Sequence, residues 1–181
     1  MNRVFTIAVV LLAFTLAGCS AHKPVSQGAE QQKIDALTAD LLLLDRAIDR
    51  QAAVIVARTA VHYSLELAEK YEIFGPPRMH NLLVNFGFRE RGLCYQWADD
   101  LLKKLLSLNS TRFDFFYAVA NLGSDLREHN SVVVSAKGAA FETGIVLDGW
   151  RYSGDLYWSA VSEDSYEWSQ RYPDPGQQTL R

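Results

Sequence analysis

The sequence predicts an α+β fold, in which a helical front half precedes a cysteine-bearing helix packed on a small antiparallel sheet. Two observations carry this. From Lys33 to Phe74 there is neither glycine nor proline, and Ile34, Leu37, Leu41, Leu44 and Ile48 recur at three- and four-residue steps, the period of a helix with one buried face. Later the pattern changes to short runs rich in valine and aromatics: Phe113 to Ala120, Asn130 to Ala136, Phe141 to Leu147 and Leu156 to Val161. Glycine or polar turns separate them, as between strands.

Taken in order, the chain opens with Asn2-Arg3, continues through the apolar run Val4 to Leu16 and closes it with Leu16-Ala17-Gly18-Cys19. The run is short for a bilayer span and fits a secretory signal over residues 1–18. This segment resembles bacterial lipoprotein signals. The resemblance implies that Cys19 becomes the first mature residue and carries acyl chains such as palmitate, which together anchor the chain stably. In that family Ser20, where an aspartate would favour inner-membrane retention, implies outer-membrane sorting on the periplasmic side. Residues 19–32 are polar, include Pro24 and Gly28, and read as a flexible tether. Residues 33–172 form a single α+β domain, helical over 33–74 with a possible break near Ala57 to Thr59. Gly75-Pro76-Pro77 stops the helix and starts an irregular connection through Met79, His80 and Asn81 toward Arg91. Residues 173–181 read as a frayed tail.

Beyond the signal, about 160 residues suffice for one domain with a substantial core. The full chain has 18 basic and 21 acidic residues, a net charge of -3, which argues against a nucleic-acid surface. No cluster has metal-ligand spacing and no motif calls for a cofactor. The oligomeric state is not encoded in any feature of the pattern.

Cys94 is the residue on which function turns. With Cys19 lipidated it is the remaining thiol in an oxidising compartment, with no disulfide partner. It opens a helix whose apolar positions, Trp97, Ala98, Leu101, Leu102, Leu105 and Leu106, lie on one stripe with it. The other face pairs Asp99 and Asp100 with Lys103 and Lys104 at four-residue spacing. A cysteine nucleophile works as its thiolate, and a helix N-terminus favours that anion. A histidine must still take and return the proton.

The hairpin after Asn130 supplies that histidine. Lys137-Gly138-Ala139-Ala140 separates two strand-like runs, and glycine suits the first central position of a type II′ turn. With Gly138-Ala139 as the turn, Val133 faces Gly144, Ser131 faces Val146 and His129 faces Asp148. Opposed Cβ atoms lie about 4.5–5.5 Å apart, close enough for a carboxylate to orient an imidazole.

At these residues the chain resembles the transglutaminase-like branch of the papain-like cysteine enzymes over 92–161. Gly92-Leu93-Cys94 opens a helix, Glu128-His129-Asn130-Ser131-Val132-Val133 opens a strand, and Val146-Leu147-Asp148-Gly149-Trp150 ends the next. The resemblance implies a nucleophile at Cys94, a general base at His129 and an orienting carboxylate at Asp148. Acyl transfer or hydrolysis would proceed through a thioester. Asn130 and Gly149 depart from the family, which often has an aromatic residue and a proline there. An oxyanion hole would need the Cys94 N–H and a second donor; His80, Asn81 and Gln96 are candidates, with Trp150 as further cleft support. Asn81 also fits as a helix cap for Leu82 to Val84. Leu156-Tyr157-Trp158 and Phe113 to Tyr117 offer aromatic walls, although most of these side chains read as core.

The function expected is that of a lipid-anchored cysteine hydrolase or acyltransferase acting on amide bonds of protein or peptidoglycan peptide. The alternative is a catalytically inactive lipoprotein using the same fold as a binding module. A related class of cell-wall endopeptidases uses a cysteine and two histidines, and Asp148 in the third position ranks that class lower.

Overall fold

A computed structural model describes residues 27–124 and 127–171. Among them, four α-helices, α1 (Gln27–Leu42), α2 (Arg50–Lys70), α3 (Pro77–Asn85) and α4 (Cys94–Leu106), precede five strands. The strands are β1 (Phe113–Ala120), β2 (His129–Ala136), β3 (Ile145–Asp148), β4 (Tyr157–Ala160) and β5 (Trp168–Gln170), in sheet order β4-β3-β2-β1-β5 with every pair antiparallel. The fold class is α+β, with the cysteine at the start of the helix that lies on the sheet. Residues 1–18, read as a signal, and Cys19 and the tail at 173–181 lie outside the described residues.

Alternation along the strands divides the sheet into two faces. Phe113, Tyr117, Val132, Val134, Ala136, Ile145 and Leu147 face the helices and join Leu101, Leu102 and Leu105 of α4, with Leu37 and Leu41 of α1, in the main core. Full burial of each such leucine contributes about 1.5–3 kcal/mol. The opposite face holds Ala118, Ala120, Val133 and Val146, covered by Phe141 and Trp168. His129 and Asp148 share this second parity, at the open end of the sheet. All eight residues of β2 are buried, as expected of a central strand covered on both sides.

The structure corrects several expectations. Helix α1 starts at Gln27, so Gln27 to Gln32 are helical and not tether. The front helices break at Leu43 to Asp49, not near Ala57 to Thr59. There Asp49 caps α2 by accepting from the Ala52 N–H at 2.9 Å, and Asp45 accepts from the Ala47 N–H. Neither glycine nor proline marks that break, because side-chain oxygens make the turn. The connection after Gly75 is not irregular either: Pro77 sits in the first turn of α3, where its missing N–H has no cost. Asn81 is therefore inside α3 and not a cap. On α4, Leu106 leaves the buried stripe at 42 % exposure. Asp100 pairs with Arg91 and Lys70 rather than Lys104, whose ammonium lies over the Tyr63 ring.

The β2–β3 connection also differs from a two-residue turn. A first turn closes with the Ala139 N–H donating to the Ala136 carbonyl, and a 3-10 turn follows over Phe141–Thr143. Val132 consequently pairs with Leu147, Val133 with Val146 and Val134 with Ile145. This register lies two residues from the expected one. An even slip preserves the face of every side chain, where an odd one would reverse it. Extended by this register, Asp148 stands diagonal to His129, still on its side of the sheet.

Candidate active site

Cys94 occupies the first position of α4, where its backbone N–H has no intrahelical partner. The approach to it is built by two side chains. Gln96 turns its Oε1 back to accept from the N–H groups of Gly92 (2.7 Å) and Leu93 (3.0 Å), and Trp97 Nε1 donates to the Gly92 carbonyl at 3.1 Å. Gly92 has φ +130°, and a Cβ there would lie 2.3 Å from His80 Nε2. Only glycine lets the chain turn here against the buried histidine.

His80 is completely buried, accepting the Phe74 N–H at Nδ1 (3.2 Å) and bonding the Arg91 carbonyl through Nε2 (2.9 Å). Those partners require the neutral tautomer protonated at Nε2. Both nitrogens are spent on backbone. His80 is thus not an oxyanion donor; it clasps the loop that delivers Cys94. Gln96 is likewise a cap, its carbonyl directed at Gly92 and Leu93.

His129 is 3 % exposed and Asp148 1 % exposed. His129 Nε2 bonds Asp148 Oδ2 at 2.7 Å, while its Nδ1 is buried and has no hydrogen-bond partner among the described residues. The thiol of Cys94 is half-buried beside this ring, 3.8 Å from the Glu128 carbonyl, and receives a long contact of 3.7 Å from Asn130 Nδ2. Arg171 bonds Asn130 Oδ1 at 3.4 Å, which keeps the amide's N–H end toward sulfur.

The imidazole is walled by aromatic rings, with centroids 4.8 Å from Trp150, 5.0 Å from Tyr166 and 5.4 Å from Trp168. Trp168 reaches across β1 because Ala120, paired with both His129 and Trp168, is too small to separate them. These residues form the aromatic surround, and the strands Phe113 to Tyr117 and Leu156 to Trp158 contribute mostly to the core. Phe113 and Tyr117 face the helical core, and Trp158 packs there with Nε1 donating to Asp40.

Asp148 has four donors. Its Oδ1 accepts the backbone N–H of Trp150 (3.1 Å) and Arg151 (3.0 Å), and its Oδ2 is shared by His129 and Arg151 Nε (2.9 Å). Arg151 is in turn held by Asp164 at 3.0 and 3.2 Å and lies over the rings of Tyr157 and Tyr166. Sequence reading missed Arg151, Asn130, Tyr166 and Trp168. The aspartate-turn spacing from Asp148 to Arg151 was a local signal for the first; nothing local points to Asp164 or Trp168.

Burial pushes the Asp148 carboxyl up, yet the bond from His129 and the nearby charges of His129 and Arg151 overcome it and hold the group below the usual carboxylate range. Burial depresses His129, but Asp148 and the thiol outweigh this and push it up to about 9. Burial raises the Cys94 thiol, while His129 and then Asn130 bring it below its ordinary value. These directions favour a thiolate–imidazolium pair at neutral pH.

The pair opens onto a cleft of ≈ 290 Å³ lined by Arg78, Asn81, Glu128, Trp150 and Tyr166 among others. Asn81 Oδ1 accepts from Trp150 Nε1 at 3.1 Å. Because an indole N–H can only donate, that bond fixes the amide and leaves its own N–H donors to the cleft. The structure thus brings Cys94, His129, Asp148, Asn81 and Trp150 to one place and sets His80 and Gln96 behind it. The chain matches no protein-family model, no curated protein and no solved structure.

Proposed function

We infer that the chain is a cysteine-dependent hydrolase or acyltransferase acting on amide bonds of protein or peptidoglycan peptide. One observation carries the reading: a buried imidazole has one nitrogen fixed by a carboxylate at 2.7 Å and the other, among the described residues, without a hydrogen-bond partner beside the Cys94 thiol. A packing histidine satisfies both nitrogens when buried.

In the first half-reaction the Cys94 thiolate attacks the substrate carbonyl carbon, and the carbonyl electron pair moves to oxygen. The Cys94 N–H and Asn81 Nδ2, on residues that line the same cleft, serve as donors to that oxyanion. As the intermediate collapses the C–N bond breaks, and His129 gives its Nδ1 proton to the departing amine, leaving a thioester. Water or a second amine then attacks the thioester while neutral His129 takes the proton. Expulsion of the thiolate restores the starting pair. Asp148 holds the ring throughout, and Arg151 keeps Asp148 ionised. The Leu16-Ala17-Gly18-Cys19 motif supports a lipid anchor on the periplasmic face of the outer membrane.

The test needs no substrate. Alkylation of Cys94 is followed against pH in the full chain carrying Cys19→Ser, with and without His129→Ala. A thiol titrating well below about 8.5, with the depression lost in the variant, is the expected result. A sluggish, accessible thiol indifferent to His129 in folded protein would sink the enzyme and leave the binding lipoprotein. Asn81→Ala separates the oxyanion role: kcat should fall about 10²–10³-fold with the thiol titration unchanged.

A further inference from the structure

Helix α3 has three faces with different fates. His80 points into the protein, Asn81 lines the cleft, and Met79, Leu82 and Phe86 form an outward stripe at 47, 56 and 73 % exposure. Phe74 before the helix and Phe88 after it are also exposed, at 44 and 70 %. Single exposed apolar side chains are ordinary, but five large ones on one short helix and its flanks mark an interaction surface.

We propose that this face of α3 seats on the lipid bilayer, Phe86 and Phe88 entering the acyl–headgroup boundary. Two observations select lipid as the occupant. The first is where the chain leaves the described domain. Lys33, on the second turn of α1, pairs with Asp155 at 2.5 Å and bonds the Leu156 carbonyl at 3.0 Å. Two residues before Asp155, Ser153 donates to the Gly75 carbonyl at 3.1 Å, and the Met79 sulfur packs against Gly75. The N-terminal half of α1 and the near edge of the stripe are therefore joined through one short turn. Cys19 precedes Gln27 by at most roughly 28 Å of extended chain, so an anchor there keeps this edge within reach of the membrane.

The second is chemistry at the margin. Arg78 borders the stripe on α3 and is exposed, and Tyr152, in the turn that carries Ser153, is 57 % exposed, while Arg89 after Phe88 is paired with Glu72. A cation and an amphipathic ring beside an apolar centre suit a headgroup layer. Such seating opens the cleft along the membrane surface, because Asn81 and the stripe occupy different sides of one helix. The proposal takes from the preceding reading only the anchor at Cys19 and none of the chemistry of Cys94.

The experiment uses the full chain reconstituted in phosphatidylethanolamine–phosphatidylglycerol vesicles containing a phospholipid with a diazirine in its acyl chain. After photolysis, labelled peptides are located by mass spectrometry. Insertion of the probe within residues 77–88, lost to background in Phe86→Ser/Phe88→Ser, is the expected result. Both side chains lie outside the core, and an unchanged Cys94 alkylation rate checks that the variant folds. Labelling confined to the segment before Gln27 would overturn the docking while leaving the anchor standing. Cross-links joining 77–88 to a second copy, with no lipid label there, would overturn it in favour of a protein interface. Absence of any label overturns it too.

Discussion

Two buried histidines stand on either side of the cysteine loop, and they differ by one nitrogen. His80 gives both of its nitrogens to backbone, at Phe74 and Arg91, and with Gly92 fixes the path of the chain toward Cys94. His129 gives one to Asp148 and keeps Nδ1 uncommitted among aromatic rings next to the thiol. Burial does not distinguish them. The distinction is in what remains unsatisfied: a fully bonded ring is structure, and a ring with a buried orphan nitrogen holds capacity for proton transfer.

The largest expected effect is at His129. His129→Ala should lower turnover of an amide substrate about 10²–10⁴-fold, with the folded state retained by circular dichroism. Loss of less than tenfold would place His129 with His80 as a packing residue. Asp148→Asn sharpens the contrast by removing the charge and keeping the shape. The His129 ring should then titrate nearer its ordinary value, measurable by its NMR shift against pH, and Cys94 alkylation near pH 7 should slow.

At His80 the loss should appear as stability instead. His80→Ala leaves a cavity and two unpaired backbone groups, which costs about 2–5 kcal/mol in urea unfolding. Gly92→Ala, which meets the same ring and a positive φ, should show a related loss. If either changed the titration of Cys94 without loss of stability, the clasp would have to be reassigned to the chemistry.

The smallest effect is on the pH dependence of folding. His129 is raised from an ordinary 6.5 to about 9, so the folded state binds the proton more tightly than the unfolded one. Its stabilising contribution is complete below about 6.5 and is lost as pH rises through about 9. The difference in urea midpoint between wild type and His129→Ala should therefore shrink between pH 7 and pH 10. A difference that widened would reverse the sign assigned to the ring.

What could be read from the sequence follows periodicity. The α4 stripe repeats at helical steps through Leu105, and alternating apolar residues fix the faces of β1 to β3, so the α+β class and the placement of Cys94 were legible. The His129–Asp148 partnership was legible for a reason more general than the turn used to find it. The connection is longer than two residues, yet the register moved by an even number and parity kept the pair together. The break at Leu43 to Asp49 was obscured because Leu44 and Ile48 continue the helical spacing through it, and α3 was hidden by prolines that also read as a stop. Arg151 and Trp168 matter through Asp164, Ala120 and Asp148, contacts that exist only after the strands have assembled.

Strand β5 is three residues long and, among the described residues, lies at the edge of the sheet and pairs with β1 alone. Short edge strands belong to the least stable cooperative units of a domain, opening many times for each global unfolding. Trp168 rides on that strand, with Tyr166 just before it, so one small detachment strips two walls from His129 while the core stays intact. Water would then reach the imidazole and weaken its hold on the thiolate. The working lifetime of the site is thus governed by the fraying of its outermost strand, and hydrogen exchange at Ser169 would measure it.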